Sequence, residues 1–260
     1  MRWSEWLALG FFLWLAAAGW FRTLLPGRRW RLTVASLVMC GVVVAVATGA
    51  AVPVRDWAPP LYVLVGYFLS GLLFVSPSPA FEEWLVQWDN RILGDSIARF
   101  GRWPAWLLGY LDLIYVFCFL VVPGGFAVLV LTGHSALADR FWTIVLATEF
   151  GAFAPLAVVQ SRPPWALDPQ ARARHAAIHR FASIFVRQAT IGANTFPSGH
   201  AAASLAVALT VMDVVAWAGA ILIFFAISIS AACIVGRYHY VMDVAAGVVL
   251  AAAAWALVMI

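Results

Sequence analysis

Runs of about twenty apolar residues recur along the whole chain, at approximately 5–21, 32–54, 59–75, 104–131, 141–160, 198–215, 217–235 and 239–260. A bilayer hydrocarbon core of roughly 30 Å takes about 20 helical residues to cross. Lipid offers no partners to unpaired backbone N–H and C=O groups, so such runs cross it as helices rather than as open sheet. The expected fold is therefore all-α: a polytopic transmembrane helical bundle of about eight spans. The third run is the shortest. The fourth is long, and Pro123-Gly124-Gly125 inside it is expected to break it or end it early. Charged residues make up only 11% of the chain, against about 25% in soluble domains, so the surface cannot be covered with polar groups. The 14 Trp residues suit a membrane protein, because indole favours the lipid–water interface.

Two segments alternate apolar and charged residues without being long enough in apolar character to cross. Residues 80–102 place Phe81, Trp84, Leu85, Trp88, Ile92, Leu93 and Ile97 among Glu82, Glu83, Asp89, Arg91, Asp95, Arg99 and Arg102. Residues 170–187 place Ile178, Phe181, Ile184 and Phe185 among Arg172, Arg174, Arg180 and Arg187. Both read as amphipathic helices lying along the interface. All 16 basic residues are Arg, and the net charge of +4 suggests anionic lipid surfaces rather than nucleic acid as partner. Cys40, Cys118 and Cys233 lie far apart in apolar runs and read as small buried hydrophobes.

The chemistry concentrates in three stretches. Asn194-Thr195-Phe196-Pro197-Ser198-Gly199-His200 opens the sixth span. Asn, Thr and Ser cap helices, and a helix start offers free N–H groups and a favourable dipole to a phosphate. Ser198 and Gly199 are thus candidate phosphate-binding positions, with Gly199 allowing close approach to the backbone. His200 in the first turn is placed to protonate a leaving oxygen. Gly236-Arg237-Tyr238-His239-Tyr240-Val241-Met242-Asp243 opens the last span. His239 and Asp243 are four apart and share a helix face, and a carboxylate beside an imidazole fixes its tautomer and raises its basicity. Gln160-Ser161-Arg162-Pro163-Pro164 closes the fifth span, and Arg162 can fork two hydrogen bonds onto a phosphate. Read singly, each stretch has a plain structural alternative: a capped helix, a His–Asp pair knitting two helices, an Arg anchored at headgroups. The span count, however, puts Arg162, His200, Arg237 and His239 on one side of the membrane.

Together these stretches resemble the type-2 phosphatidic-acid phosphatase superfamily, whose pattern is Lys-x6-Arg-Pro, Pro-Ser-Gly-His and Ser-Arg-x5-His-x3-Asp. Residues 197–200 match the second element, Arg162-Pro163 the end of the first, and His239 with Asp243 the end of the third. The resemblance covers roughly 80–260, which makes 80–260 a catalytic core and 1–79 an N-terminal transmembrane extension. It implies that His239 attacks phosphorus to form a phosphohistidine, with Asp243 orienting it, His200 protonating the leaving group and Arg162 holding the phosphate. Two positions depart from the pattern: the family Lys falls at Pro155 and the third-element Arg at Cys233. Arg237 is the candidate replacement, and Arg172, Arg174, Arg180 and Arg187 are within reach on the loop. A Tyr-His-Tyr-x-x-Asp element preceded by Arg looks closer to the inositol-phosphotransferase and sphingolipid-synthase branch.

The expected activity is hydrolysis of a lipid phosphate or diphosphate by a membrane lipid phosphatase. The alternatives are a phosphotransferase moving a phospho-headgroup to a lipid alcohol, and a non-catalytic lipid-binding protein. No cofactor and no metal is expected, because Arg side chains and helix N–H groups can offset the transition-state charge. His175 and His179 lack a third ligand nearby, and Asp112 and Glu149 sit inside spans, where they would line a polar cavity or pair with neighbours. Expected partners are the lipid phosphate and membrane lipids, with the oligomeric state left open. The Arg count puts 13 of 16 on the side that carries the site, which the positive-inside rule makes cytoplasmic. The resemblance implies an extracytoplasmic site in a bacterial plasma membrane, and that is the expectation kept.

Overall fold

The computed structural model describes residues 1–167 and 191–259. The loop segment 170–187, with His175, His179 and the Arg residues expected to reach the phosphate, lies wholly outside the described residues.

Among the described residues the chain is helical throughout. The helices are α1 (Trp3–Phe21), α2 (Pro26–Gly49), α3 (Val52–Trp57), α4 (Pro59–Gly71), α5 (Pro79–Leu93), α6 (Ser96–Phe100), α7 (Ala105–Leu131), α8 (Ala138–Phe153), α9 (Pro164–Leu167), α10 (Gly199–Met212), α11 (Ala216–Val235) and α12 (Val241–Met259). Proline at the first or second helical position starts α2, α3, α4 and α5, where its fixed φ helps and its missing N–H costs nothing.

Five helices, α1, α2, α7, α11 and α12, are long and apolar enough to cross a bilayer. The other three expected spans form shorter helices. α4 has 13 residues, α8 has 16 and α10 has 14. At 1.5 Å per residue α10 is about 21 Å long, short of a roughly 30 Å core. Eight spans are therefore not counted from helix length alone. α10 is nonetheless the hub of the bundle, packed against α7, α8, α11 and α12. It is buried almost all round, from Gly199 to Val211. A helix enclosed by protein has its ends satisfied by protein and need not reach both interfaces.

The expected break at Pro123 does not occur. α7 runs unbroken through Pro123. The adjacent Gly125 meets α10 so closely that a Cβ there would lie 2.2 Å from Val207 Cγ1. The Pro-Gly-Gly run therefore brings two helices together instead of ending one. The segment 80–102 forms α5 and α6 as expected, with Glu82 and Leu85 turned inward.

Residues before 79 share one core with the rest. Phe11 of α1 stacks on Phe150 of α8 with centroids 4.0 Å apart, inside a cluster that also includes Phe12, Leu15, Tyr62, Leu73 and Phe153. At the start of α1 and α8, Arg2 pairs with Asp56, Arg55 pairs with Glu5, and Asp139 accepts from the Ser4 amide and hydroxyl. The far ends of α10 and α12 are tied by Asp213, which accepts from Arg140 and from the Trp255 indole. The three motif stretches gather at the other end.

Candidate active site

The start of α10 is built as a rigid platform. Ser198 caps the helix, its Oγ accepting from the Ala201 amide at 3.4 Å, and its own amide donates to the carbonyl of Asp243 at 2.9 Å. That second bond welds the first turn of α10 to the first turn of α12. Gly247, one turn further along α12, makes the weld possible. A Cβ at Gly247 would lie 2.7 Å from the Ser198 carbonyl oxygen and 3.3 Å from the Ala202 amide. Gly247→Ala is therefore expected to push α12 off the Ser198 turn and cut turnover about 10- to 100-fold, the usual result of misplacing reacting groups by an ångström. Steady-state kinetics alongside a melting curve in detergent check this, the melt showing whether the bundle stays folded.

His239 sits in the turn between α11 and α12. The Cys233 carbonyl accepts from both the Tyr238 and the His239 amides, at 2.9 and 3.0 Å, and Arg237 takes a left-handed conformation with φ 58°. That conformation is costly for a non-glycine residue. It turns the chain so that His239 faces inward, 5% exposed. Asp243 is fully buried. One of its oxygens, Oδ2, accepts from the Tyr240 amide at 2.8 Å and the Asn194 amide side chain at 2.9 Å, and lies 3.4 Å from His239 Nδ1. Nδ1 and the other Asp243 oxygen, Oδ1, have no hydrogen-bond partner. A slight ring rotation would close this contact, and catalytic hydrogen bonds commonly tighten only when substrate arrives. With Nδ1 on the carboxylate side, Nε2 is the nitrogen left to react.

His200 faces His239 with ring centroids 5.6 Å apart, so both rings can reach one phosphoryl group. Tyr115 of α7 stacks on His200 at 5.1 Å and on Tyr238 at 3.7 Å, and Phe119 meets His200 edge-on. The two imidazoles share a small cavity of about 30 Å³, walled by Tyr67, Tyr115, Trp165, Thr195 and Tyr238 among others. Aromatic walls hold the rings in place and exclude bulk water.

A profile of the PAP2 superfamily matches residues 83–257. The chain belongs to the PAP2 superfamily. Members are typically phosphatases or phosphoesterases, which makes this an enzyme of phosphatase type, and its apolar helices make it an integral membrane protein. No curated protein and no solved structure matches the chain. The helices α1 to α4 lie outside the matched residues.

This PAP2 chain assembles only part of the expected anion site. His200, His239, Asp243 and Ser198 come together, but neither Arg162 nor Arg237 lines the cavity. Arg162 is held by Glu82 of α5 through Nη2 at 2.6 Å and Nε at 3.2 Å, while its amide donates to the same carboxylate at 2.9 Å. The bonds from Arg162 hold the Glu82 carboxyl below the usual carboxylate range and raise Arg162 in turn. Arg237 Nη1 donates to the Ser96 hydroxyl at 2.7 Å. At Gly199 the space a side chain would occupy is bordered by Glu149 Oε2 at 3.0 Å and Phe153 Cε1 at 3.2 Å, so any larger residue there would have to push those side chains aside. Cys233, where the family Arg falls, is fully buried in an apolar cluster with Tyr115, Ala201 and Tyr238. Among the described residues no three His, Cys, Asp or Glu side chains gather into a metal-binding group.

Several residues of the PAP2 site escape a reading by motif. Asn194 bridges Asp243 to the Ser161 hydroxyl at 3.0 Å and pairs by backbone with Ser161. Gln160 is fully buried and pins the same loop, its amide donating to the Leu73 and Leu156 carbonyls while its oxygen accepts from Val75. The Tyr240 hydroxyl donates to the Arg162 carbonyl at 3.1 Å. Asp89 of α5 accepts from the Val241 amide at 2.8 Å and so anchors the start of α12. Burial chiefly, and Asp243 to a lesser degree, push its carboxyl up from 3.8 to about 6, against the pull of the Val241 amide and Arg237. A carboxyl raised on folding binds its proton more tightly in the folded chain, so its contribution to stability is lost as pH rises from 3.8 to about 6. Asp89→Asn keeps the acceptor for Val241 and removes that loss. Melting curves across pH 4–8 are expected to show the variant gaining about 1 kcal/mol on the wild type by neutral pH, after discounting for partial exposure.

Proposed function

We propose that this protein is a membrane lipid phosphatase that removes a phosphate or diphosphate from a lipid through a phosphohistidine on His239. The observation that carries this is the pairing of the two imidazoles over one cavity, with a buried carboxylate behind only one of them. The carboxylate marks His239 as the nucleophile, because it favours the tautomer with Nε2 unprotonated and stabilises the charge that develops on attack. His200 has no such partner and is stacked on Tyr115, as suits a ring that carries a proton to the leaving oxygen and later takes one from water.

Gly199 and His200 present first-turn N–H groups of α10 to the phosphoryl oxygens, beside Ser198, whose own amide is taken by the Asp243 carbonyl. Arg162 is the nearest family cation in sequence terms, and its partner Glu82 belongs to the amphipathic α5. In this reading an arriving phosphate draws Arg162 away from Glu82, since a doubly charged phosphate is the stronger fork acceptor. Arg237 stays on Ser96 and steadies the turn that aims His239. The lipid tails lie among the bundle helices, the headgroup sits at the interface, and the site opens to the extracytoplasmic side of a bacterial plasma membrane. Residues 1–79 serve as an extension that shores up α8.

The test is release of inorganic phosphate by purified protein from phosphatidic acid, polyprenyl diphosphate, phosphatidylglycerol phosphate, and lyso- and sphingolipid phosphates. At least one should be turned over, and His239→Ala should not turn it over. Equal inactivity of both proteins on the whole panel would favour a non-catalytic lipid-binding role.

A further inference from the structure

The turn between α1 and α2 carries a cation cluster that the catalytic reading leaves unused. Arg22, Arg28, Arg29 and Arg31 fall close together, and no Asp or Glu occurs between Glu5 and Asp56. Among the described residues none of the four pairs with a carboxylate. They turn to backbone instead. Arg28 Nη2 donates to the Gly71 and Phe74 carbonyls at 3.0 and 2.8 Å, which docks α2 on the end of α4. Arg29 Nη2 reaches the Arg22 and Leu24 carbonyls only at 3.5 and 3.4 Å, and Arg31 Nε reaches the Gly27 carbonyl at 3.4 Å. Arg22 Nε and Arg29 Nε are shielded from solvent with no partner among the described residues. Each guanidinium has five donors, so most of this donor capacity is unspent.

The placement also costs energy. Arg28 and Arg31 stand three apart on one helix face and repel each other. Cations in a first helical turn oppose the helix dipole. An anion held at the turn would offset both. The aromatic residues fix its depth. Trp20 and Trp30 meet edge to face at 5.3 Å, Arg29 lies over the Trp20 ring at 5.2 Å, and both indoles are about half exposed. Phe21 and Leu25 between them are more exposed still. Exposed Trp at the end of an apolar helix sits at the headgroup level, so the anion that this cluster meets is a lipid phosphate.

We propose that the α1–α2 turn is a second anion site, which binds the phosphate of an anionic membrane lipid. Arg22, Arg29 and Arg31 take the phosphate, Arg28 stays on α4, and the two indoles flank the first part of the lipid chains. The site lies outside the residues that match the PAP2 profile. It is also separate from catalysis in space. None of the four Arg lines the small cavity, or the larger one of about 270 Å³ that adjoins it at His200 and Glu149. The turn nonetheless stands at the catalytic end of the bundle. The loop after α4, whose end Arg28 holds, is pinned by Gln160, and the neighbouring Ser161 takes the Asn194 bridge to Asp243.

The experiment offers purified protein an equal mixture of phosphatidylglycerol and phosphatidylcholine and counts bound lipid by native mass spectrometry. A phosphatidylglycerol with a diazirine near its headgroup is photolysed in parallel and its cross-links are mapped. The wild type should retain phosphatidylglycerol in preference and carry the cross-link on residues 20–34. Arg29→Gln/Arg31→Gln should lower the ratio of phosphatidylglycerol to phosphatidylcholine by about 30-fold, the effect of two surface Arg on an anionic lipid. Arg31→Gln alone, at an exposed position, should lower it about fivefold and serves if the double variant fails to fold. Arg99→Gln/Arg102→Gln removes the same charge near α6 and should leave the ratio unchanged. Equal retention of the two lipids, an equal fall in the α6 variant, or cross-links elsewhere would overturn the site. Excess inorganic phosphate should not displace the lipid; displacement would assign the turn to free phosphate and overturn the lipid reading. Binding is read without turnover, so failure here leaves the phosphatase reading standing.

Discussion

Replacing His239 by alanine is expected to lower kcat by about 10⁴-fold or more, the scale seen when a covalent nucleophile is removed from an enzyme whose remaining groups act as a unit. The loss follows from position. His239 is 5% exposed, its turn is held by the Tyr238 and His239 N–H groups donating to the Cys233 carbonyl, and the Asp243 carboxylate stands 3.4 Å behind its ring. A variant that retained hydrolysis within tenfold would point to direct attack by water. Stability should change little, since the turn is fixed by backbone bonds and by Tyr238 rather than by the imidazole. A melting curve beside the kinetic assay separates the two effects.

The second large effect is His200→Ala, and its size should depend on the leaving group. General acid catalysis contributes about 10²- to 10⁴-fold. A lipid alkoxide is a poor leaving group and needs the proton, so the loss on a phosphate monoester should sit near the top of that range. A diphosphate or an aryl phosphate leaves as a stabler anion, and the loss should shrink by at least about tenfold. Parallel assays of the variant on both substrate types check this. An equal loss on both would assign His200 to binding rather than to proton transfer.

The parts of this site that the sequence made legible are those whose meaning is local. Ser198, Gly199 and His200 lie in one turn, and His239 and Asp243 lie four residues apart, so short spacing tied each group together even though His239 precedes the first residue of α12. What joins the groups is not local. The bond from the Ser198 amide to the Asp243 carbonyl, the Asn194 bridge from Ser161 to Asp243, and the stacking of Tyr115 on His200 all connect distant segments. None has a spacing to read. Arg162 shows the limit most clearly. Its Arg-Pro dipeptide suggested phosphate, but the carboxylate that holds it, Glu82, sits on another helix and looked like one charge among seven in an amphipathic run.

The fold divided in the same way. Apolar runs gave the helices, because lipid imposes one solution on the backbone. They did not give the lengths. α10 is short because Ser198 caps one end and the Asp213 turn closes the other, and it can be short because four neighbours enclose it. At Pro123 the local rule pointed to a break, and packing decided otherwise: Gly125 against Val207 keeps α7 continuous. Glu149 was visible as an odd charge in a span, but only the assembled bundle places it on the cavity beside His200.

The most direct test of the central claim is chemical. Wild-type protein mixed with a phosphorus-labelled lipid phosphate and quenched in base within milliseconds should carry an acid-labile, base-stable label that peptide mapping assigns to His239. Label on a hydroxyl or carboxylate side chain, or phosphate released with no labelled protein at any time point, would contradict the account.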